Sequence, residues 1–341
     1  MALVSDASPA AARQIWCNLH SMLITEPGTI EDMVADARAA GYEATVRLIR
    51  DWTQHGLLDS PQKRSAGKGH GSAPAIYLPN QRNLFLTLLH HRPGKSVSSL
   101  ARIPVSIWMY WGEDYVPLRQ ARRALLRYLG DPQAGRRYAK DAARTSKERA
   151  RTAARAILGQ LDNPQATHQA RRELIDALTE AAYTGQPDFQ VLEDAISAVF
   201  EPGTRLIRRA IGHPSAPVTT GAMITVMKAR LAAVTALTAG TVTDETLLQA
   251  RDAHLFAYAE YVAMQPALAA AGPPDIPQLY EPVTAEDTIS NCCGHLLSAI
   301  GLEITYPADA ERLRLARAGL RRPGPAAFGL TAAAISSQRT G

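Results

Sequence analysis

Apolar positions along the chain recur with the 3.6-residue period of amphipathic helices, not with the two-residue alternation of half-buried strands. The first such pattern covers 9–23, where Ile15, Trp16, Leu19, Met22 and Leu23 share one side of a helix. A second opens at Thr29, a residue type that caps helices, and places Glu31 and Asp32 in the first turn, where acids suit the helix dipole. Ile30, Met33, Val34 and Ala37 then form one stripe, and Gly41 ends it. A third helix is expected over 43–55 (EATVRLIRDWTQH), burying Val46, Ile49 and Trp52, with Gly56 as its left-handed cap. Two short helices joined by a glycine-containing turn make a helix-turn-helix unit, whose second helix can lie in a DNA major groove.

After Leu57 and Leu58 the apolar pattern stops until Ile76 and Tyr77. The intervening glycines and basic residues suit a β-hairpin wing, with Lys63, Arg64, Lys68 and His70 where phosphates would pass. Pro79 marks a helix start, and 80–91 turns Leu84, Phe85, Leu88 and Leu89 inward. Trp108, Tyr110, Trp111 and Tyr115 suggest a core that joins this unit to later helices, with stacking on bases as the alternative. Over 118–129, Leu118, Ala121, Leu125 and Tyr128 line one side while Arg119, Arg122, Arg123 and Arg127 make a basic outer face; 138–161 continues in that style. Residues 165–319 read as helices broken by Gly and Pro, and two nearly apolar stretches, 219–237 and 254–271, are expected to be buried in a bundle. Beyond Leu320 the chain offers little apolar surface and is expected to be loose. The organisation predicted is a DNA-binding unit with its preceding helix at 1–92, a basic helical connector at 93–162, a helical dimerisation or effector domain at 163–320, and a flexible tail at 321–341.

Composition sharpens this picture. Of 341 residues, 46% are hydrophobic and only 6% aromatic, and the chain is rich in Ala and Arg, which favours helices. The fold class expected is mainly α, an N-terminal winged helix-turn-helix with a short β-hairpin wing plus a C-terminal all-helical bundle. Cys17, Cys292 and Cys293 cannot build a disulfide framework. No uninterrupted run of about 18 apolar residues is present, and no basic cluster leads into an apolar run at the amino terminus. A cytoplasmic protein with no membrane partner is therefore expected.

The net charge of +5 conceals a segregation: 61–155 holds 19 basic and 5 acidic residues, while both flanks are net acidic. Such a block fits a polyanion, because neutralised phosphates release counterions; a solvated arginine-rich surface is the competing explanation. Gly67-Lys-Gly-His-Gly71 lacks the spacing of a nucleotide-phosphate loop. Cys292-Cys293-Gly-His295 has no second ligand pair, so two packed cysteines are expected there and no metal. No carboxylate pair, nucleophile triad or dinucleotide fingerprint stands out, so neither an enzyme nor a cofactor is expected.

Thr45-Val-Arg47, His55-Gly-Leu-Leu58, Arg64 and Ala75-Ile-Tyr77 together resemble the MerR-type winged-helix DNA-binding domain over residues 29–89. The resemblance implies that Thr45, Arg47 and Arg50 face DNA, that Arg64 contacts phosphate, and that Tyr77 closes the wing or touches phosphate. The sequence differs from that family in its longer, glycine-rich wing and in lacking one long coiled coil after the third helix. The function expected is a transcriptional regulator, a repressor that binds double-stranded DNA as a homodimer on an inverted repeat, with a bundle able to enclose a small-molecule effector. An excisionase that bends an attachment site, and a helical ligand-sensing or protein-interaction module, are the alternatives.

Overall fold

The computed structural model describes residues 24–65, 72–129, 147–148, 151–152, 154–155, 166–184, 187–200, 211–213, 216–218, 220–271, 285–328 and 330. These are mainly helical, with two small antiparallel hairpins. The helix expected over 9–23 lies outside the described residues, as do Cys17, Lys68 and His70.

The chain forms two compact units. The larger begins with α1 (Ile30–Ala39), α2 (Val46–Gln54), the strands β1 (Gln62–Ser65) and β2 (Ser72–Ile76), and α3 (Pro79–His91). Thr29 starts α1 with a capping box: its hydroxyl accepts from the Asp32 amide (3.3 Å) and its own amide donates to the Asp32 carboxylate (2.7 Å). The Thr29 amide and the Thr29 hydroxyl (3.1 Å) both donate to the Asp32 carboxylate, which favours its ionised form and holds it below the ordinary range. Thr45 caps α2 through the Leu48 amide (3.2 Å). Met33, Ala37, Ile49, Trp52, Leu84, Phe85 and Leu88 are all buried, and Trp52 meets Phe85 edge to face at 5.6 Å. The helical period seen in the sequence is therefore the period of burial. A guanidinium fork binds α3 to α1, with Arg82 donating to both Asp36 oxygens at 2.8 Å and to the Glu26 carbonyl at 2.7 Å.

The same core continues through α4 (Val97–Leu100), α5 (Arg102–Trp111) and α6 (Leu118–Tyr128). It includes Trp108 and Tyr110, with Trp111 and Tyr115 packed against it, which favours the core role of these aromatics over base stacking. The later chain joins it through part of α9 (Thr220–Ala239) and α10 (Asp244–Ala271), and through α11 (Ala285–Thr305), which packs on α5 and is followed by α12 (Pro307–Ala316). The boundary expected at residue 92 thus does not divide the packing. Nor is the whole tail loose: Pro325–Phe328 makes a 3-10 turn, and Phe328 and Leu330 are buried, the Phe328 ring lying 4.9 Å from that of Tyr110. One aromatic and one leucine among Pro, Gly and Ala carry no periodicity for a pattern search to find.

In the smaller unit, α7 (His168–Thr184) packs against α8 (Phe189–Phe200) around Leu174, Leu192, Ile196, Val199 and Ile224, and the chain between them and α9 forms a hairpin of β3 (Ile211–His213) and β4 (Ala216–Val218). Helix α9 departs from its expected burial. Only 22% of its apolar window is buried, and its length and mean hydropathy of 1.4 would suffice to cross a membrane, although Lys228 and Arg230 interrupt it. Its many small residues raise hydropathy without providing bulk to pack.

Gly56 and Gly41 separate two causes of glycine preference. Both have positive φ (76° and 81°), but a Cβ on Gly56 would sit 2.5 Å from the Arg123 Cβ, whereas one on Gly41 meets nothing within 4 Å. Gly41→Ala should cost about 1–2 kcal/mol of backbone strain, and Gly56→Ala clearly more, because α6 must also retreat. Urea unfolding of the two variants checks this; equal losses would mean that α6 does not press on the turn.

Candidate nucleic-acid interface

Helix α2 divides into two faces. Ile49 and Trp52 are buried, while Arg47, Arg50, Asp51 and Gln54 are exposed. The Arg47 side chain is 91% exposed, and it pairs with Asp51 one turn on across 3.9 Å. Such a pair is worth about 0.3–0.5 kcal/mol, too little to hold the guanidinium against a base edge or a phosphate. Thr45 is exposed at the N-terminal end of the same helix, its hydroxyl engaged in the cap.

Lys63 and Arg64 project from β1, both exposed. The hairpin pairs Gln62 with Ile76 and Arg64 with Ala73, with a register irregularity at Lys63, and Arg64 donates to the Pro74 carbonyl at 3.3 Å. Tyr77 does not belong to this exposed set. It is 3% exposed and exchanges two backbone hydrogen bonds with Gly28 (2.7 and 3.0 Å). Thr53 spends its proton on the Ile49 carbonyl (2.8 Å), so the Tyr77 phenol donates to Thr53 (3.1 Å). Burial pushes that phenol upward, against smaller opposing effects of the Thr53 bond and the Arg50 charge. The structure thus places Tyr77 apart from the exposed side chains expected to face DNA, with its ring enclosed.

Past Gly56 the chain enters a buried polar chain of bonds that sequence reasoning missed. The Asp59 amide donates to Gln81 (2.8 Å), Gln81 donates to Gln120 (3.0 Å), and Gln120 donates to the Leu57 carbonyl (2.8 Å). All three side chains are buried, and Arg119 forks onto the Asp59 carboxylate at 2.5 and 3.0 Å. Two glutamines and an aspartate at helix and loop positions give no local signal of such a partnership.

The arginines of α6 are also employed differently from expectation. Besides Arg119, Arg122 donates to the Val242 carbonyl (2.6 Å) and Asp244 (2.6 Å), and Arg123 donates to the Thr53 and Gln54 carbonyls. In the smaller unit Lys147 and Arg151 face Glu180 and Asp176. The basic helical surface expected to add phosphate contacts is therefore in good part committed to the protein's own carbonyls and carboxylates. His55, at the end of α2, is held below its usual range first by burial and then by Arg127.

Cys292 and Cys293 are buried in α11 with their sulfurs 3.9 Å apart, and burial pushes the Cys293 thiol up. Compared with protein-family models, with curated proteins and with solved structures, the chain matches none.

Tyr77→Phe removes one donor and nothing of the ring. It should destabilise the chain by about 1 kcal/mol. Thermal unfolding checks this; an unchanged melting temperature would mean that the Tyr77–Thr53 bond adds nothing.

Proposed function

We propose that the chain is a transcriptional regulator whose residues 29–91 act as a winged helix-turn-helix, with α2 entering the major groove and the β1–β2 hairpin lying along the backbone. The observation that carries this is the exposed face of α2: among the described residues, Arg47 and Arg50 stand in solvent on a helix whose opposite side is anchored in the core. A guanidinium suits the acceptor pair of guanine, and Lys63 and Arg64 supply charge beside it without sequence preference. Repression follows by occupancy of the operator.

A homodimer on an inverted repeat suits this reading, and α12 supplies a face for it. None of its residues is buried, and Leu313 and Leu315 are 53% and 66% exposed. Arg314 is turned onto Glu303 (2.8 Å), Arg312 onto Asp309 and Arg317 onto Glu260 (3.5 Å). Charges paired within one copy let two copies meet without repulsion.

Arg47→Ala or Arg50→Ala should weaken binding to a duplex enriched by the wild-type chain from a randomised library by about 1–3 kcal/mol, and a shuffled duplex far less. Lys63→Ala should weaken both duplexes alike and reduce the salt slope by roughly one. If all three variants affect the two duplexes equally, α2 does not read bases. Leu315→Ser should move the sedimenting species from dimer toward monomer; a wild-type chain that sediments as a monomer removes the dimer.

A further inference from the structure

Helix α2 has nine residues, and its last carbonyls need partners that the helix cannot provide. The carbonyls of Asp51 and Trp52 are taken by the amides of His55, Leu57 and Leu58. The Thr53 carbonyl accepts from the Gly56 amide (3.2 Å) and also from Arg123, which reaches across from α6 and donates to the Gln54 carbonyl as well (2.8 Å). The placement is doubly favourable, since the cation also sits at the negative end of the α2 dipole. Close approach is built in: Gly56 gives the turn room to lie against the backbone of Arg123 and Ala124. On the neighbouring position Arg122 grips the Val242 carbonyl and Asp244, in the turn between α9 and α10.

From this we infer that Arg123 is a positioning residue for DNA reading, and that α6 ties the angle of α2 to the position of the α9–α10 turn. The inference rests on the reading of α2 as the base-contacting helix. Its physical basis is leverage. Arg47 lies six residues from Thr53, so a tilt of about 10° about that end moves its backbone by roughly 1.5 Å. A paired donor set directed at one base edge does not survive such a shift, whereas contacts to phosphate from mobile side chains do. Releasing Arg123 therefore lowers discrimination between sequences more than it lowers affinity for DNA in general. A displacement of the α9–α10 turn, transmitted through Arg122, has the same signature, which makes this helix the route by which the helical part regulates the reading face.

The test uses the full chain with two probes, the duplex enriched by the wild-type protein from a randomised library and a shuffled duplex of equal composition. Arg123→Ala should bind the enriched duplex about tenfold more weakly and the shuffled one within about twofold, with an unchanged salt slope. Arg123→Lys, which keeps a cationic donor at the carbonyls, should recover most of the discrimination. Asp244→Asn, which alters nothing on α2, should lower it by about threefold. Equal weakening of both probes with a flatter salt slope would make Arg123 a phosphate contact and overturn the inference, as would full discrimination in Arg123→Ala. Full discrimination in Asp244→Asn overturns the link to the turn. Thermal unfolding of each variant identifies a chain that has lost its fold, in which case Arg123→Lys and Asp244→Asn decide. Failure of the underlying reading is recognised separately: the wild-type chain then enriches no sequence at all.

Discussion

The turn that follows α2 contains backbone groups that water cannot reach, and every one of them must find a partner elsewhere in the chain. An unsatisfied buried amide or carbonyl costs about 1–3 kcal/mol, a substantial share of a domain's net stability. Here the partners come from far along the sequence. Gln81 on α3 serves the Asp59 amide, Gln120 on α6 serves the Leu57 carbonyl, and Arg123 serves the end of the helix itself. The exposed face of α2 is thus held from behind by side chains that never approach it. That arrangement explains why α3 and α6 share a core with α2 and why the packing has no break at residue 92.

The distribution of charge follows from the same economy of partners. The basic block between 61 and 155 suggests a continuous polyanion track, yet many of its guanidiniums face inward or toward carboxylates. Arg82 locks α1 to α3, Arg119 neutralises a buried aspartate, and Arg122 spans to Asp244. A planar fork of five donors suits such internal roles because it satisfies two acceptors at once. Arg119 stays largely exposed while bound to Asp59, and Lys63 and Arg64 of this block are exposed on β1, as Arg47 and Arg50 are on α2 before it.

A second set of polar groups is enclosed where α5, α10 and α11 meet the tail. Tyr110 and His254 are hydrogen-bonded at 3.1 Å, and Tyr258, His295 and Phe328 surround them with ring separations of 4.9–5.9 Å. Burial, reinforced by His295, pushes His254 down to about 3, and burial, with smaller effects of Cys292 and Tyr258, pushes the Tyr110 phenol upward. Both groups are therefore neutral at any physiological pH, and the phenol donates to the imidazole. Arg251, also buried, is stabilised by the Met109 carbonyl (2.9 Å) and the face of Trp108 (5.2 Å), and burial lowers it to about 10, still protonated at neutral pH. The interior here is polar but silent to pH.

From the amino-acid order alone came the elements. The cap at Thr29, the stripes of Met33, Ile49 and Leu84, and the glycine stop at residue 56 are local matters, set by backbone sterics and by the helical period, and the helices stand near where those signals placed them, although α2 begins at Val46, capped by Thr45, and not at residue 43. The exposure of Arg47 and Arg50 was legible in the same way, since a residue opposite a buried stripe must face out. Tyr77, the α6 arginines, Phe328 and the partial exposure of α9 were not legible. Whether an aromatic closes a core or meets a ligand, and whether an arginine meets solvent or a distant carbonyl, depends on partners brought together only by folding. Residue type states what a side chain can bond; the tertiary structure decides which of those bonds exists, because burial makes each unpaired donor costly and distance in sequence conceals who stands beside it.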